Sequence, residues 1–228
     1  MRLVLFDVDG TLLIARGAGR RALGQALRQV LGTAGSLEQY DFRGRTDIRI
    51  VLDVLEAAGI PRATARERLD DVFEAYARTL AVEIGDGRDV VTLPGIAALV
   101  RRLDATEGLL LGLLTGNIEQ GARIKLAPTG LSPFFPVGAF GSDDHDRGRL
   151  PSLAARRAQA LTGHAFEPHE VVVIGDTPHD IECARAFGAV AVAVATGFHS
   201  RDELLADRPD LFFDDFADVE RAVSLLSR

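Results

Sequence analysis

Short apolar runs that stop abruptly at acids, hydroxyls or glycines recur along this chain of 228 residues. Leu3 to Phe6 halts at Asp7, and Leu109 to Leu114 halts at Thr115-Gly116-Asn117. Val171 to Ile174 runs into Gly175-Asp176-Thr177, and Val190 to Val194 into Ala195-Thr196-Gly197. A weaker run, Val137 to Phe140, precedes Gly141-Ser142-Asp143-Asp144. Runs this short and this apolar read as strands buried on both faces, with polar residues at their carboxyl ends. Helical spacing appears between them. Ile96, Leu99, Val100 and Leu103 share a face behind Pro94, and 154–161 and 181–187 also read as helices. Strands alternating with helices predict an α/β fold with a parallel sheet and crossover connections. Ligands in such folds sit at the carboxyl ends of the strands, so the polar strand ends above are expected to be neighbours.

The rhythm breaks between residues 16 and 90. Three helical stripes follow one another there without a comparable strand: Leu23, Leu27, Val30 and Leu31; Ile48, Val51, Leu52 and Leu55; then Leu69, Val72, Phe73, Tyr76 and Leu80. A helical insert is expected at 16–90, with the α/β core made of 1–15 and 91–228.

A net charge of −7 repels nucleic acid and anionic membrane, so an anionic substrate needs a local cationic site. With 47% hydrophobic and 26% charged residues, the balance is that of a globular protein. Cys183 is the only cysteine, so no intrachain disulfide forms, which fits a reducing compartment. The amino terminus meets acids too early for a signal peptide, and no apolar run has membrane-spanning length. A cytoplasmic location is expected, with no nucleic-acid or membrane partner and a monomeric or homodimeric state.

Asp7-Val8-Asp9-Gly10-Thr11 carries the chemistry. Side chains two apart on an extended segment share a face, so two carboxylates meet at one strand tip. They repel unless a cation lies beside them, and Mg²⁺ favours carboxylate and phosphate oxygens. One carboxylate can then attack phosphorus while the other moves a proton. The competing view is a solvated turn. Asp176 stands at another strand end as a second candidate metal ligand. Thr177, Pro178 and Asp180 form a helix-capping pattern, which leaves Asp180 as a cap, a metal ligand or both. Thr115-Gly116-Asn117 offers a hydroxyl and open N–H groups for a phosphate oxygen, although such residues also make ordinary turns. Lys125 is the one lysine among 26 basic residues, which singles it out from an arginine-biased composition.

Taken in order, these segments resemble the motifs of the haloacid dehalogenase superfamily. Asp7-Val8-Asp9-Gly10-Thr11 is similar to its first motif, Thr115 to its second, Lys125 to its third, and Gly175-Asp176 with Asp180 to its fourth. The insert resembles the helical cap of the phosphoglycolate phosphatase type. The resemblance implies a Rossmann-like parallel sheet core with a helical-bundle cap inserted after the first strand. It further implies a magnesium-dependent phosphatase of a small-molecule phosphate monoester, phosphoglycolate being the family-level candidate. Asp7 would be the nucleophile and Asp9 the proton-transfer group, with the Asp9 backbone carbonyl also on the metal. Asp176 and Asp180 would complete the Mg²⁺ site, and Thr115 and Lys125 would hold the phosphoryl oxygens. Thr11, Gly116, Asn117 and Arg45 are the expected substrate contacts. A sugar-phosphate mutase and a phospho-acceptor signalling domain are the alternatives.

Many relatives carry the third-motif lysine after the next strand, before a proline. This chain reads Asp146-Arg147-Gly148-Arg149-Leu150-Pro151 there. Either Lys125 serves from the preceding helix or Arg149 has replaced it, and Lys125 is favoured. Asp143-Asp144-His145-Asp146 is read as a solvated loop rather than a metal cluster. His179 is read as solvent-facing and Cys183 as a buried small hydrophobe. The segment Tyr40 to Asp47 joins two predicted helices, and its Arg43 or Arg45 is a candidate partner for an anionic group on the substrate.

Overall fold

The computed structural model describes residues 1–227. Its centre is a six-stranded, wholly parallel sheet. The strands are β1 (Arg2–Phe6), β4 (Leu109–Thr115), β5 (Val137–Phe140), β6 (Val171–Gly175), β7 (Val190–Val194) and β8 (Leu211–Phe213), in the order β5-β4-β1-β6-β7-β8. The central strand shows why both faces are covered. Val4 and Phe6 pack into one hydrophobic cluster while Leu3 and Leu5 pack into the other, and all four are fully buried. That is the period-two alternation of a strand with apolar layers above and below.

Helices α5 (Ile96–Asp104), α6 (Glu119–Leu126) and α10 (Val219–Leu226) feed the first cluster. Helices α7 (Leu150–Thr162), α8 (Pro178–Phe187) and α9 (Arg201–Ala206) feed the second. The chain winds outward from β1 in both directions, through β4 to β5 and through β6 to β8. The strand order therefore reverses beside β1, and the carboxyl end of β1 opens into a crevice there.

A two-stranded antiparallel ribbon of β2 (Leu13–Ile14) and β3 (Val91–Thr92) marks where the chain leaves and rejoins this core. Between them come α1 (Ala18–Leu31), α2 (Asp47–Glu56), α3 (Arg62–Glu67) and α4 (Leu69–Ile84). Leu23 and Leu27 of α1, Val51 and Leu55 of α2, and Val72, Tyr76 and Leu80 of α4 are all buried. The apolar stripes read from the sequence are thus the inward faces. No helix among the described residues is long and apolar enough to cross a membrane.

Candidate active site

Asp7 follows the last residue of β1, and its N–H donates to the carbonyl of Ile174 in the neighbouring β6 at 2.9 Å. Asp176 follows β6 directly, and Asp180 lies in the first turn of α8. Strand pairing thus brings three carboxylates from two strand ends together. One oxygen from each of Asp7, Asp176 and Asp180 lies within 4.8 Å of the others.

All three are buried. Burial pushes the Asp7 carboxyl up to about 6; Asp180 and Asp9 add to the rise, and Arg147 and a hydrogen bond from Thr115 oppose it. Burial and then the charges of Asp7 and Asp180 drive the Asp176 carboxyl well above its ordinary value. Asp176 has one side chain bonded to it, the Thr11 hydroxyl, which donates to Oδ1 at 3.1 Å. It is 2% exposed and paired with no cationic side chain among the described residues. Three converging carboxylates with one arginine between them carry excess negative charge. An oxygen-rich cradle short of positive charge fits a hard divalent cation. Gly10 keeps the cradle tight. Its φ of +85° is costly for other residues, and a Cβ there would lie 2.3 Å from Asp176 Oδ2.

The Asp9 side chain stands apart from this group. Its carboxylate does not join the three. Lys125 Nζ donates to Asp9 Oδ2 at 2.6 Å and to Asn117 Oδ1 at 2.6 Å. Asn117 Nδ2 donates to Asp9 Oδ2 and to Thr115 Oγ1, both at 2.8 Å. Lys125 is buried in this network, so its role in the structure is to hold Asp9 rather than to sit beside Asp7. Thr11, expected as a substrate contact, is placed differently. It is fully buried with its hydroxyl on Asp176, and it does not line the cavity expected to hold substrate.

The cation beside Asp7 is Arg147, where the sequence pattern favours Lys125 or Arg149. It opens a 3₁₀ turn (Arg147–Arg149) between β5 and α7 and is 8% exposed. Its Nη2 lies 3.3 Å from Asp7 Oδ1 and 2.5 Å from Asp180 Oδ1. Burial works against its charge, but Asp180 and Asp7 outweigh burial and its pKa moves up. Arg149 points the other way: its side chain is 71% exposed and pairs with Asp144 and Asp146. Successive residues of a tight turn face different directions, so spacing alone did not separate the two arginines. Asp180 fills its expected place as the cap. Its Oδ2 accepts from the Thr177 N–H at 3.1 Å and hydroxyl at 2.7 Å, capping α8, while Oδ1 faces Arg147.

The start of α2 closes over these strand ends. The Asp47 N–H donates to Gly116 O at 2.7 Å, and the Ile118 N–H donates to Asp47 Oδ2 at 2.8 Å. Thr46 caps α2, and its hydroxyl donates to His145 O at 2.9 Å. The approach is close enough that a Cβ on Gly141 would lie 1.8 Å from Gly116 O and 2.9 Å from the Asp47 nitrogen. Burial raises the Asp47 carboxyl to about 6, with Lys125 and the Ile118 N–H opposing and Asp9 adding to the rise.

Beneath lies a cavity of about 660 Å³, lined by Asp7, Asp9, Thr115, Gly116, Asn117 and Lys125 on the sheet side. Tyr40, Arg45 and Tyr76 line the helical side. Of the cavity's other arginines, Arg16 pairs with Asp89, Arg43 with Asp41, and Arg20 bonds the carbonyls of Leu37, Glu38 and Tyr40. Arg45 has no ion pair or side-chain hydrogen bond among the described residues; it lies over the Tyr40 ring at 5.5 Å. The Asp143–Asp146 run is tied up locally: Asp143 pairs with Arg157, Asp144 with Arg149, and Asp146 caps the 3₁₀ turn. His179 pairs with Glu182 near the surface, and Cys183 is buried.

The family model of haloacid dehalogenase-like hydrolases matches residues 1–188, and the chain belongs to that family of enzymes. A phosphoglycolate phosphatase from Synechococcus elongatus is 34% identical over 149 residues, spanning 64% of this chain and 66% of that protein. One from Yersinia pestis is 29% identical over 100% of this chain and 95% of its own length. Among solved structures, CbbY from Rhodobacter sphaeroides in complex with xylulose-(1,5)bisphosphate shares the fold. Its TM-score is 0.73 at 22% identity, covering 96% of each chain.

Proposed function

We propose that this enzyme is a magnesium-dependent phosphatase that hydrolyses a small-molecule phosphate monoester through an aspartyl-phosphate on Asp7. The observation that carries this reading is the buried group of Asp7, Asp176 and Asp180 at the carboxyl edge of the sheet, with Asp7 and Asp176 lining the cavity. Asp7, Asp176 and Asp180 would hold the cation, with the Asp9 backbone carbonyl as a further oxygen. When bound, it supplies charge neutralisation for the phosphoryl oxygens and the attacking carboxylate.

The remaining work falls to side chains. Asp7 attacks phosphorus, forming the acyl-phosphate bond as the bond to the ester oxygen breaks. Asp9 gives its proton to the departing oxygen, then takes one from the water that attacks phosphorus and frees Asp7. Lys125 and Asn117 hold the Asp9 carboxylate in line for both transfers. Thr115 and Arg147 offer N–H and O–H donors to the phosphoryl group beside Asp7. The segment 16–90 acts as a cap that excludes water, and its unpaired Arg45 meets a second anionic group on the substrate. The relatives' names make phosphoglycolate, which carries a carboxylate, the first ester to try.

The test is release of inorganic phosphate from a panel of phosphate monoesters with magnesium or with EDTA. Turnover should require magnesium and vanish in Asp7→Asn. Phosphoglycolate should be preferred over a neutral alkyl phosphate, and Arg45→Ala should erase that preference by raising KM for the acidic ester alone. Turnover that persists in EDTA, or isomerised hexose phosphate without free phosphate, would overturn the proposal.

A further inference from the structure

Arg147 touches both layers of the molecule. Its Nη2 faces Asp7 and Asp180, while its Nη1 donates to the carbonyl of Gly44 at 3.3 Å, in the loop leading into α2. Its Nε is the one buried side-chain polar atom among the described residues with no partner. An unpaired buried donor is unfavourable, so the side chain is kept in place by what its two terminal nitrogens bind. A guanidinium reaches two directions at once from a rigid plane, whereas an ammonium on a flexible stem is a point charge.

We infer that Arg147 couples docking of the 44–47 loop to the placement of Asp7, so that the nucleophile is held in position when the cap is closed. Opening the loop removes the Gly44 acceptor and frees the guanidinium to turn about its contact with Asp180. Linkage makes this reciprocal: whatever loop closure contributes to the Asp7–Arg147 contact, the charge on Asp7 returns to loop closure. Arg147 is here a positioning residue, and the inference rests on the reading above only for naming Asp7 the nucleophile.

The reciprocal half is testable without turnover. The first N–H groups of a helix have no intrahelical acceptor, so protection of the Asp47 amide reports its bond to Gly116 across the junction. Hydrogen exchange of the full chain in EDTA at pH 7 gives the ratio of the Asp47 rate to that of Val173, in the central sheet. Asp7→Asn should raise this ratio at least about fivefold. Arg147→Lys, which keeps the buried charge but has one nitrogen, should raise it as much. The double variant should match Arg147→Lys alone. The inference is overturned if Asp7→Asn leaves the ratio unchanged or lowered, if Arg147→Lys leaves it unchanged, or if the two effects multiply. Because exchange is read in EDTA, loss of coupling and loss of phosphatase activity are separate results.

Discussion

Lys125 and Arg149 make the sharpest contrast between residues of like charge. Lys125 is buried with its ammonium 2.6 Å from Asp9, while Arg149 forms exposed pairs with Asp144 and Asp146. Exposed pairs contribute little, whereas a group that aims a proton donor carries much of what general acid–base catalysis offers, about 10²–10⁴ in rate. Lys125→Met should therefore lower kcat about 100-fold on an alkyl phosphate, and Arg149→Ala should stay within about twofold. The loss in Lys125→Met should be smaller on p-nitrophenyl phosphate, whose leaving group needs little protonation. A larger loss for Arg149→Ala in steady-state kinetics would overturn this assignment. Lys125 was legible because it is the only lysine in an arginine-biased chain. Arg147 was not: Arg147 and Arg149 flank one glycine, and which of them turns inward is decided by a 3₁₀ turn that leaves no periodic trace. The direction of Asp9 was also hidden, because strand alternation puts Asp7 and Asp9 on one face but does not say which cation each meets.

At the scale of elements, the amino terminus of α2 decides how the two layers meet. Asp47 enters the junction with its carboxylate on the Ile118 N–H, buried and raised from 3.8 to about 6. For an acid raised on folding, the stabilising contribution is fully present below the unfolded value and is lost as pH rises through the folded one. Between pH 4 and pH 7 this residue should therefore cost the fold up to about 3 kcal/mol. Asp47→Asn keeps an oxygen for the Ile118 N–H and removes the titration. Urea unfolding in EDTA at a series of pH values should show wild type losing stability over this window by more than the variant. Parallel curves would count against the assignment. The strands, the inward stripes of α1, α2 and α4, and the cap on α8 were all readable, because each rests on local periodicity or a local hydrogen bond. The docking of Asp47 on Gly116 was not. It pairs residues far apart in sequence through backbone atoms, and the chain marks it only by glycines such as Gly141, where a side chain would collide.

For the whole molecule, the winding that opens a crevice beside β1 also concentrates like charge there. Asp7, Asp176 and Asp180 are held together by the sheet whether or not a cation joins them, with Arg147 as the compensating charge in their midst. The fold bears this repulsion in exchange for a site already shaped for a divalent ion. A ligand that binds the folded state alone stabilises by RT ln(1 + [L]/Kd), about 2.7 kcal/mol at a hundredfold excess over Kd. In a chain of this size that corresponds to a rise in Tm of about 5–10 °C. Magnesium should produce such a rise in wild type. Asp176→Asn should abolish it, because the carboxylate without a cationic partner is the one with most to gain from the metal. In EDTA the same variant should melt higher than wild type, since it removes one of three mutually repelling charges. Differential scanning calorimetry of both proteins, with magnesium and with EDTA, measures the two effects in opposite directions. A magnesium shift that survives in Asp176→Asn would place the ion elsewhere. An EDTA-state Tm that falls in the variant would mean that Asp176 is already satisfied by the protein and needs no cation.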